Sequence, residues 1–296
     1  MKYPLSLSII FSILILFSCS EKKTDENYAN EINEWHKHRI ERLKADDGWL
    51  NLAGLFWLKD GKNSFGSAGD NDIVFPGSNI PANIGYFILN DSAVTMRINN
   101  GIIVKADDKP VSELILNDDI SGKKQVMSLE NLRWFLINRS GKMGIRLRDL
   151  NAELVKNFKG IERFPVDDNY RVTAKFIEYP TPKTVEVPTI LGTVETDTSY
   201  GKLKFNLDGK NLSLEPLGKE RLFVIFADET NGIETYGAGR FLYTDGPDSS
   251  GNVILDFNKA YNPPCAFTKY ATCPLPLKEN YLKVKIESGE KKYGDH

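Results

Sequence analysis

Gly144-Ile145-Arg146-Leu147-Arg148-Asp149 alternates without a break, Ile145 and Leu147 falling on one side and Arg146 and Arg148 on the other. Successive side chains of a β-strand point to opposite faces, so the segment predicts a strand with one face in an apolar core and the other toward water. The residues before it carry the same kind of signal. Short apolar or alternating runs at 49–57, 72–75, 85–89, 93–98, 101–104 and 132–138 are separated by Gly, Asn, Asp and Pro. Runs of that length between turn residues predict an antiparallel sandwich or barrel.

Beyond Asp149, residues 150–161 read as a short helical or irregular link, and strand signals resume at Tyr170. They fall at 171–178, 184–188, 189–196, 202–207, 211–214, 222–228, 239–243, 252–257 and 282–287, with turns expected at Asp208-Gly209 and Ser199-Tyr200-Gly201. At 296 residues, 41% of them hydrophobic, the chain can bury one large core or two ordinary ones. The expectation is a mostly β protein in two packed subdomains, 31–149 and 150–296.

One helix is expected upstream, within the first subdomain. Thr24 can cap it, Asp25 and Glu26 suit its first turn, and Tyr28, Ile32, Trp35, Ile40 and Leu43 recur at near-helical spacing up to Asp47-Gly48. His36 and His38 lie two residues apart on it, so their side chains diverge too far to chelate one metal. Residues 5–17 are apolar, relieved only by serines, and Lys2 precedes them. That pattern is a signal peptide, too short to span a bilayer comfortably as a permanent helix.

Leu16-Phe17-Ser18-Cys19 resembles the recognition site of lipoprotein signal peptidase. The resemblance implies removal of residues 1–18 and acylation of Cys19 by chains such as palmitate. Each buried methylene contributes about 0.8 kcal/mol, so two or more chains hold a protein stably at a membrane. Residues 19–30 then serve as lipidated anchor and polar tether. The expected location is the cell envelope, periplasmic or surface-facing, with the membrane as a partner.

Lys plus Arg total 38 against 40 Asp plus Glu, and the signs are interspersed. That balance offers no nucleic acid a basic face. Gly61-Lys62-Asn63-Ser64-Phe65-Gly66 followed by Asn71-Asp72-Ile73-Val74-Phe75 resembles the opening strands of a forkhead-associated sandwich. That family reads phosphothreonine with an Arg after the glycine and a Ser and His in the next loop. Here Ser67 follows Gly66 and the next loop offers Pro81, Ala82 and Asn83, so the fold is carried over and the phosphopeptide activity is not.

Chemistry is best sought between Asp228 and Asn280. Residues 255–280 contain Pro263, Pro264, Pro274 and Pro276, which exclude helix and interior strand and predict a fixed loop after a strand. Arg240, at the start of a strand behind Gly237-Ala238-Gly239, can hold a carboxylate, either a ligand's or that of Asp256. Thr235 to Leu242, Asp256 to Thr268 and Ala271-Thr272-Cys273-Pro274 resemble the signature of the bacterial and archaeal domain-of-unknown-function family 1684. Gly48-Trp49-Leu50, Gly54 to Leu58 and Gly144 to Asp149 resemble its other landmarks. The resemblance implies an exported protein and transfers no catalytic residue.

Arg240, Asp256, Asn258, Tyr261, Asn262 and Cys265 are therefore the candidate binding or catalytic residues. Cys265 and Cys273 can form a disulfide, remain buried thiols, or provide a reactive or ligating sulfur. The only histidines are His36, His38 and His296, and there is no Gly-x-Ser-x-Gly elbow, so neither a cysteine nor a serine nucleophile has an obvious base. Zinc-ligand spacing and a complete dinucleotide fingerprint are both missing, and Asp70-Asn71-Asp72 and the turn at 245–252 read as ordinary turns, so no metal or cofactor is expected. Three readings follow: a module binding a small ligand or envelope partner, an enzyme with Asp256 or a tyrosine as acid or base and Arg240 as clamp, and a structural protein locked by its proline loop.

Overall fold

The structure, a computed structural model, describes residues 24–77 and 79–294. The expected leader, Cys19 with the first residues of the tether, and His296 lie outside them. The described residues are mostly β-strand in antiparallel sheets.

The first half is a sandwich. One layer runs in the order Leu52–Trp57, Lys142–Asp149, Leu132–Arg139, Met127–Leu129, Val104–Ala106, Lys109–Val111. The other runs Ile73–Val74, Gly61–Gly66, Gly85–Asn90, Ala93–Ile98, Glu113–Leu116. Ile145 and Leu147 enter the core between them with Trp134, Phe65, Phe87 and Met96, as the alternation required. Phe65 anchors this core, stacking on Phe87 at 4.4 Å between ring centroids and meeting Trp134 edge-on at 6.0 Å.

The second half pairs Lys210–Leu214, Val194–Leu207, Arg171–Pro188 and Asn252–Asp256 in one sheet, beside the hairpin of Arg221–Phe226 with Arg240–Asp245. Its core gathers Phe205, Leu222, Val224, Phe226, Leu255 and Phe257. Three expectations fail here. Residues 190–193, read as part of a strand at 189–196, form the turn between Arg171–Pro188 and Val194–Leu207. Ser199-Tyr200-Gly201 is no turn but part of the long strand Val194–Leu207, opposite a register shift between Glu178 and Lys183 that absorbs Pro180 and Pro182. Gly201 serves close approach, since a Cβ there would lie 2.5 Å from the Ile177 carbonyl oxygen. Residues 282–287 are not a strand either: Leu282 donates to the Ala227 carbonyl at 2.8 Å and Val284 accepts from the Glu229 amide at 2.9 Å, but beyond them side chains hold the backbone at Ile286. Arg240 donates to the Ile286 carbonyl at 2.9 Å, and the Ile286 amide donates to Asp228 at 3.2 Å.

The helix spans Glu26–Lys44 and buries Tyr28, Ile32 and Leu43. Asp25, not Thr24, caps it, accepting from the amides of Asn27 and Tyr28 at 2.8 and 3.2 Å. Thr24 instead donates to the Val166 carbonyl. The polar stretch read as tether up to Asn30 is thus helical from Glu26 onward. Although it precedes the first sandwich in sequence, the helix makes its polar contacts with the second half. Tyr28 reaches Asp256 at 2.7 Å, Arg39 reaches Glu290 at 3.3 Å, and Lys259 reaches Glu31 at 2.6 Å.

No helix among the described residues is long and apolar enough to cross a membrane.

Candidate functional site

The residues expected to form a site divide into two groups. Arg240 is fully buried, directly after Gly239, whose φ of 97° lets the chain enter the strand where a Cβ would strike the Phe226 carbonyl. Its guanidinium pairs with Asp228 at 2.7 Å, not with Asp256, and both side chains are inaccessible to water. It also donates to the carbonyls of Ile286 and Ser288. Asp228 in turn accepts from the amide and hydroxyl of Thr230 at 2.9 and 2.6 Å. This is a closed ion pair inside the second core, in which the buried Arg240 Nε alone of its nitrogens has no partner.

Asp256 is buried as well, accepting from Tyr28 at 2.7 Å and from the Asn258 amide at 3.1 Å. Burial, then the hydrogen bond to Asp256, pushes the Tyr28 hydroxyl well above the usual tyrosine range. Asn258 clamps Asp167 by donating to its carbonyl at 2.9 Å and accepting from its amide at 3.0 Å. Asn262 donates its amide to Glu290 at 2.7 Å and its side chain to the Lys291 carbonyl at 2.7 Å. Arg240, Asp256, Asn258 and Asn262 therefore knit helix, loop and C-terminal segment together and do not converge on an open cleft.

Cys265 is joined to Cys273 by a disulfide. The bridge closes the proline loop and leaves no thiol there for nucleophilic chemistry. Reducing it, or replacing Cys273 by Ser, is expected to cost about 2–3 kcal/mol by the chain-entropy estimate for so short a loop. Urea denaturation with and without reductant measures this. Equal midpoints, or two titratable thiols in the unfolded and unreduced protein, would speak against the bridge.

The open space lies beside this network, between the two halves. The sequence assigned Arg146 and Arg148 to a solvated face, yet they are only 3% and 8% exposed. The second half covers that face of the sheet. Arg148 donates to the Gly48 carbonyl and, at 3.0 Å, to Asn51. Arg146 instead lines a cavity of about 680 Å³ with Arg139, Trp49, Phe241, Pro264 and Thr272. Its Nη2 donates to the Thr272 hydroxyl oxygen at 3.2 Å, while its buried Nε has no partner.

The charge balance of this cavity is uneven. Arg139 is neutralised by Asp119, at 2.7 Å, with Glu195 at 3.9 Å. Burial works against the Asp119 carboxylate, but hydrogen bonds from Arg139 and the Asn138 amide outweigh it and hold its pKa below the usual range. Among the described residues no carboxylate reaches ion-pair distance of Arg146. Burial, and next the nearby Arg139, lowers the Arg146 guanidinium to about 10, so it is still cationic at neutral pH. The Thr272 oxygen accepts from both Arg139 and Arg146 at 3.2 Å, which leaves its own proton for a further acceptor.

A second cleft, of about 610 Å³, lies across the wall formed by Trp49, Phe241 and Pro264. Tyr261 is the one sequence candidate that lines it, with the Arg39 guanidinium 4.5 Å above its ring. Sequence reading missed Arg146, Arg139 and Thr272. The available signal was a strand whose nominally wet face carried two arginines between apolar neighbours, beside Trp49 and a rigid loop.

The fold and cavities define a mostly β protein with ligand-sized space between its first and second halves. Residues 156–291 match the family described as "Protein of unknown function (DUF1684)", and the chain carries a domain of that family over this span. The uncharacterized protein from gene locus rrnAC0354 of Haloarcula marismortui, solved by solution NMR, is 31% identical, with 47% of this chain and 80% of that chain covered and a TM-score of 0.40. The FhaA FHA domain, solved with the intracellular domain of Rv3910, is 17% identical over 32% of this chain and 97% of its own, with a TM-score of 0.23. The FHA-2 domain from the Mycobacterium tuberculosis ABC transporter Rv1747 is 23% identical over 30% of this chain and 77% of its own, again at 0.23. At these TM-scores the structural likenesses carry no functional argument. No curated protein matches the sequence.

Proposed function

We propose that this is a lipid-anchored envelope protein that binds a small organic carboxylate between its two halves. The observation that carries the reading is Arg146, a buried cation without a carboxylate partner, opening on a cavity of about 680 Å³. Burying an uncompensated charge is costly, and a planar guanidinium fork matches a carboxylate through two parallel hydrogen bonds. Trp49, Ile120, Phe241 and Pro264 supply apolar wall for the rest of the ligand, and the Thr272 hydroxyl supplies a donor. The test is a thermal-shift and calorimetric screen of small carboxylic acids against wild type and Arg146→Met. A hit that stabilises wild type and loses its effect in the variant supports the site. Hits unaffected by the substitution would refute it.

The anchor rests on residues 5–17 and the Leu16-Phe17-Ser18-Cys19 sequence. Wild type is expected in the membrane fraction and Cys19→Ser in the soluble fraction. A Cys19→Ser protein that still sediments with membranes would overturn the lipid attachment.

A further inference from the structure

The cleft on the far side of Trp49 has a different electrostatic character. Arg39, Arg42, Arg221 and Lys259 line it with aromatic rings, and no carboxylate is among the lining residues. Two of these cations are already compensated, Arg39 by Glu290 at 3.3 Å and Lys259 by Glu31 at 2.6 Å. Arg42 and Arg221 have no ion-pair partner among the described residues.

Two guanidiniums are also held in place. Arg221 sits 4.4 Å above Tyr243, whose ring stacks on Phe223 at 4.6 Å between centroids. Arg39 sits over Tyr261 and donates to the Asn262 carbonyl at 2.9 Å. Stacking on rings restricts a long side chain before any ligand arrives, which lowers the entropic cost of binding. It also occupies the aromatic faces with cations, so the cleft presents guanidinium edges instead of bare rings.

We propose that this second cleft binds a phosphate group, carried by an organic molecule whose remainder lies against Trp35 and Trp49. Two uncompensated cations match a phosphate dianion, whereas the single uncompensated Arg146 across the wall matches a carboxylate. The cleft volume of about 610 Å³ leaves room for more than the bare ion. The proposal does not depend on the carboxylate reading. Two sources share this chemistry. One is a soluble phosphomonoester. The other is a lipid headgroup, near which the lipid anchor proposed above would hold the protein.

The test uses purified full-length Cys19→Ser protein at low ionic strength. Inorganic phosphate and phenyl phosphate are titrated while tryptophan fluorescence is read, and cosedimentation is measured with phosphatidate and phosphatidylcholine vesicles. Saturable quenching by the soluble phosphates, or sedimentation with phosphatidate vesicles alone, is expected, and which of the two occurs identifies the source. Arg42→Gln and Arg221→Gln, both on exposed side chains, should each weaken the binding by roughly tenfold. Binding to neither probe overturns the proposal. So does a double Arg42→Gln, Arg221→Gln variant of wild-type affinity.

Discussion

Arg240→Met is expected to destabilise the protein by about 3–5 kcal/mol, because removing one partner of a buried pair strands the other charge. Asp228 would lose the Arg240 guanidinium while staying inaccessible to water, and the carbonyls of Ile286 and Ser288 would lose their donors. The effect should be local as well as global. Amide protection around Ile286 should fall first, since its amide donates to Asp228 and its carbonyl accepts from Arg240. A double Arg240→Met, Asp228→Asn variant should cost less than the sum of the single changes, because it leaves no orphaned charge. Urea denaturation of the two single variants and the double variant measures the coupling. A loss below about 1 kcal/mol for Arg240→Met would mean that the pair is dispensable.

Arg146→Met should do the opposite. A guanidinium that burial lowers to about 10 is cationic at pH 7 at a cost on the order of 3 kcal/mol to the folded state. Because the folded pKa lies below the unfolded one, this penalty is fully present below about pH 10 and fades only as the pH rises above that. A methionine removes the charge and fills part of the space against Trp49, so the unliganded protein should gain about 1–3 kcal/mol. Carboxylate binding should disappear with it. Arg146→Lys separates charge from geometry, since it keeps a cation but loses the fork. Its stability should stay near wild type while its affinity falls. If Arg146→Met instead destabilises the protein as Arg240→Met does, Arg146 is structural and the cavity is not organised around it.

The contrast between these two arginines marks where sequence reading stopped. Both sit in strands, close to a glycine and flanked by apolar residues. Arg240 stands out in the sequence for its surroundings, and the structure places it in a closed pair with Asp228, which lies twelve residues upstream and outside any local motif. Arg146 does not stand out, because strict alternation argues for a wet face. Alternation reports only which side of a sheet a residue occupies, not whether a second layer covers that side. Tyr261 stood among the sequence candidates and lines the second cleft, but Arg42 and Arg221, which give that cleft its charge, come from a helix and a hairpin far apart in the chain.

Spacing, turn chemistry and cysteine placement are local properties. They determined the β-rich class, the amphipathic helix, the core residues Ile145 and Leu147, and the loop in which Cys265 and Cys273 could meet. Which half the helix packs on, which carboxylate answers which arginine, and where Arg42, Arg146 and Arg221 remain unanswered were decided only by the tertiary structure. Those outcomes depend on long-range packing and on the loss of water between surfaces that no stretch of sequence contains by itself.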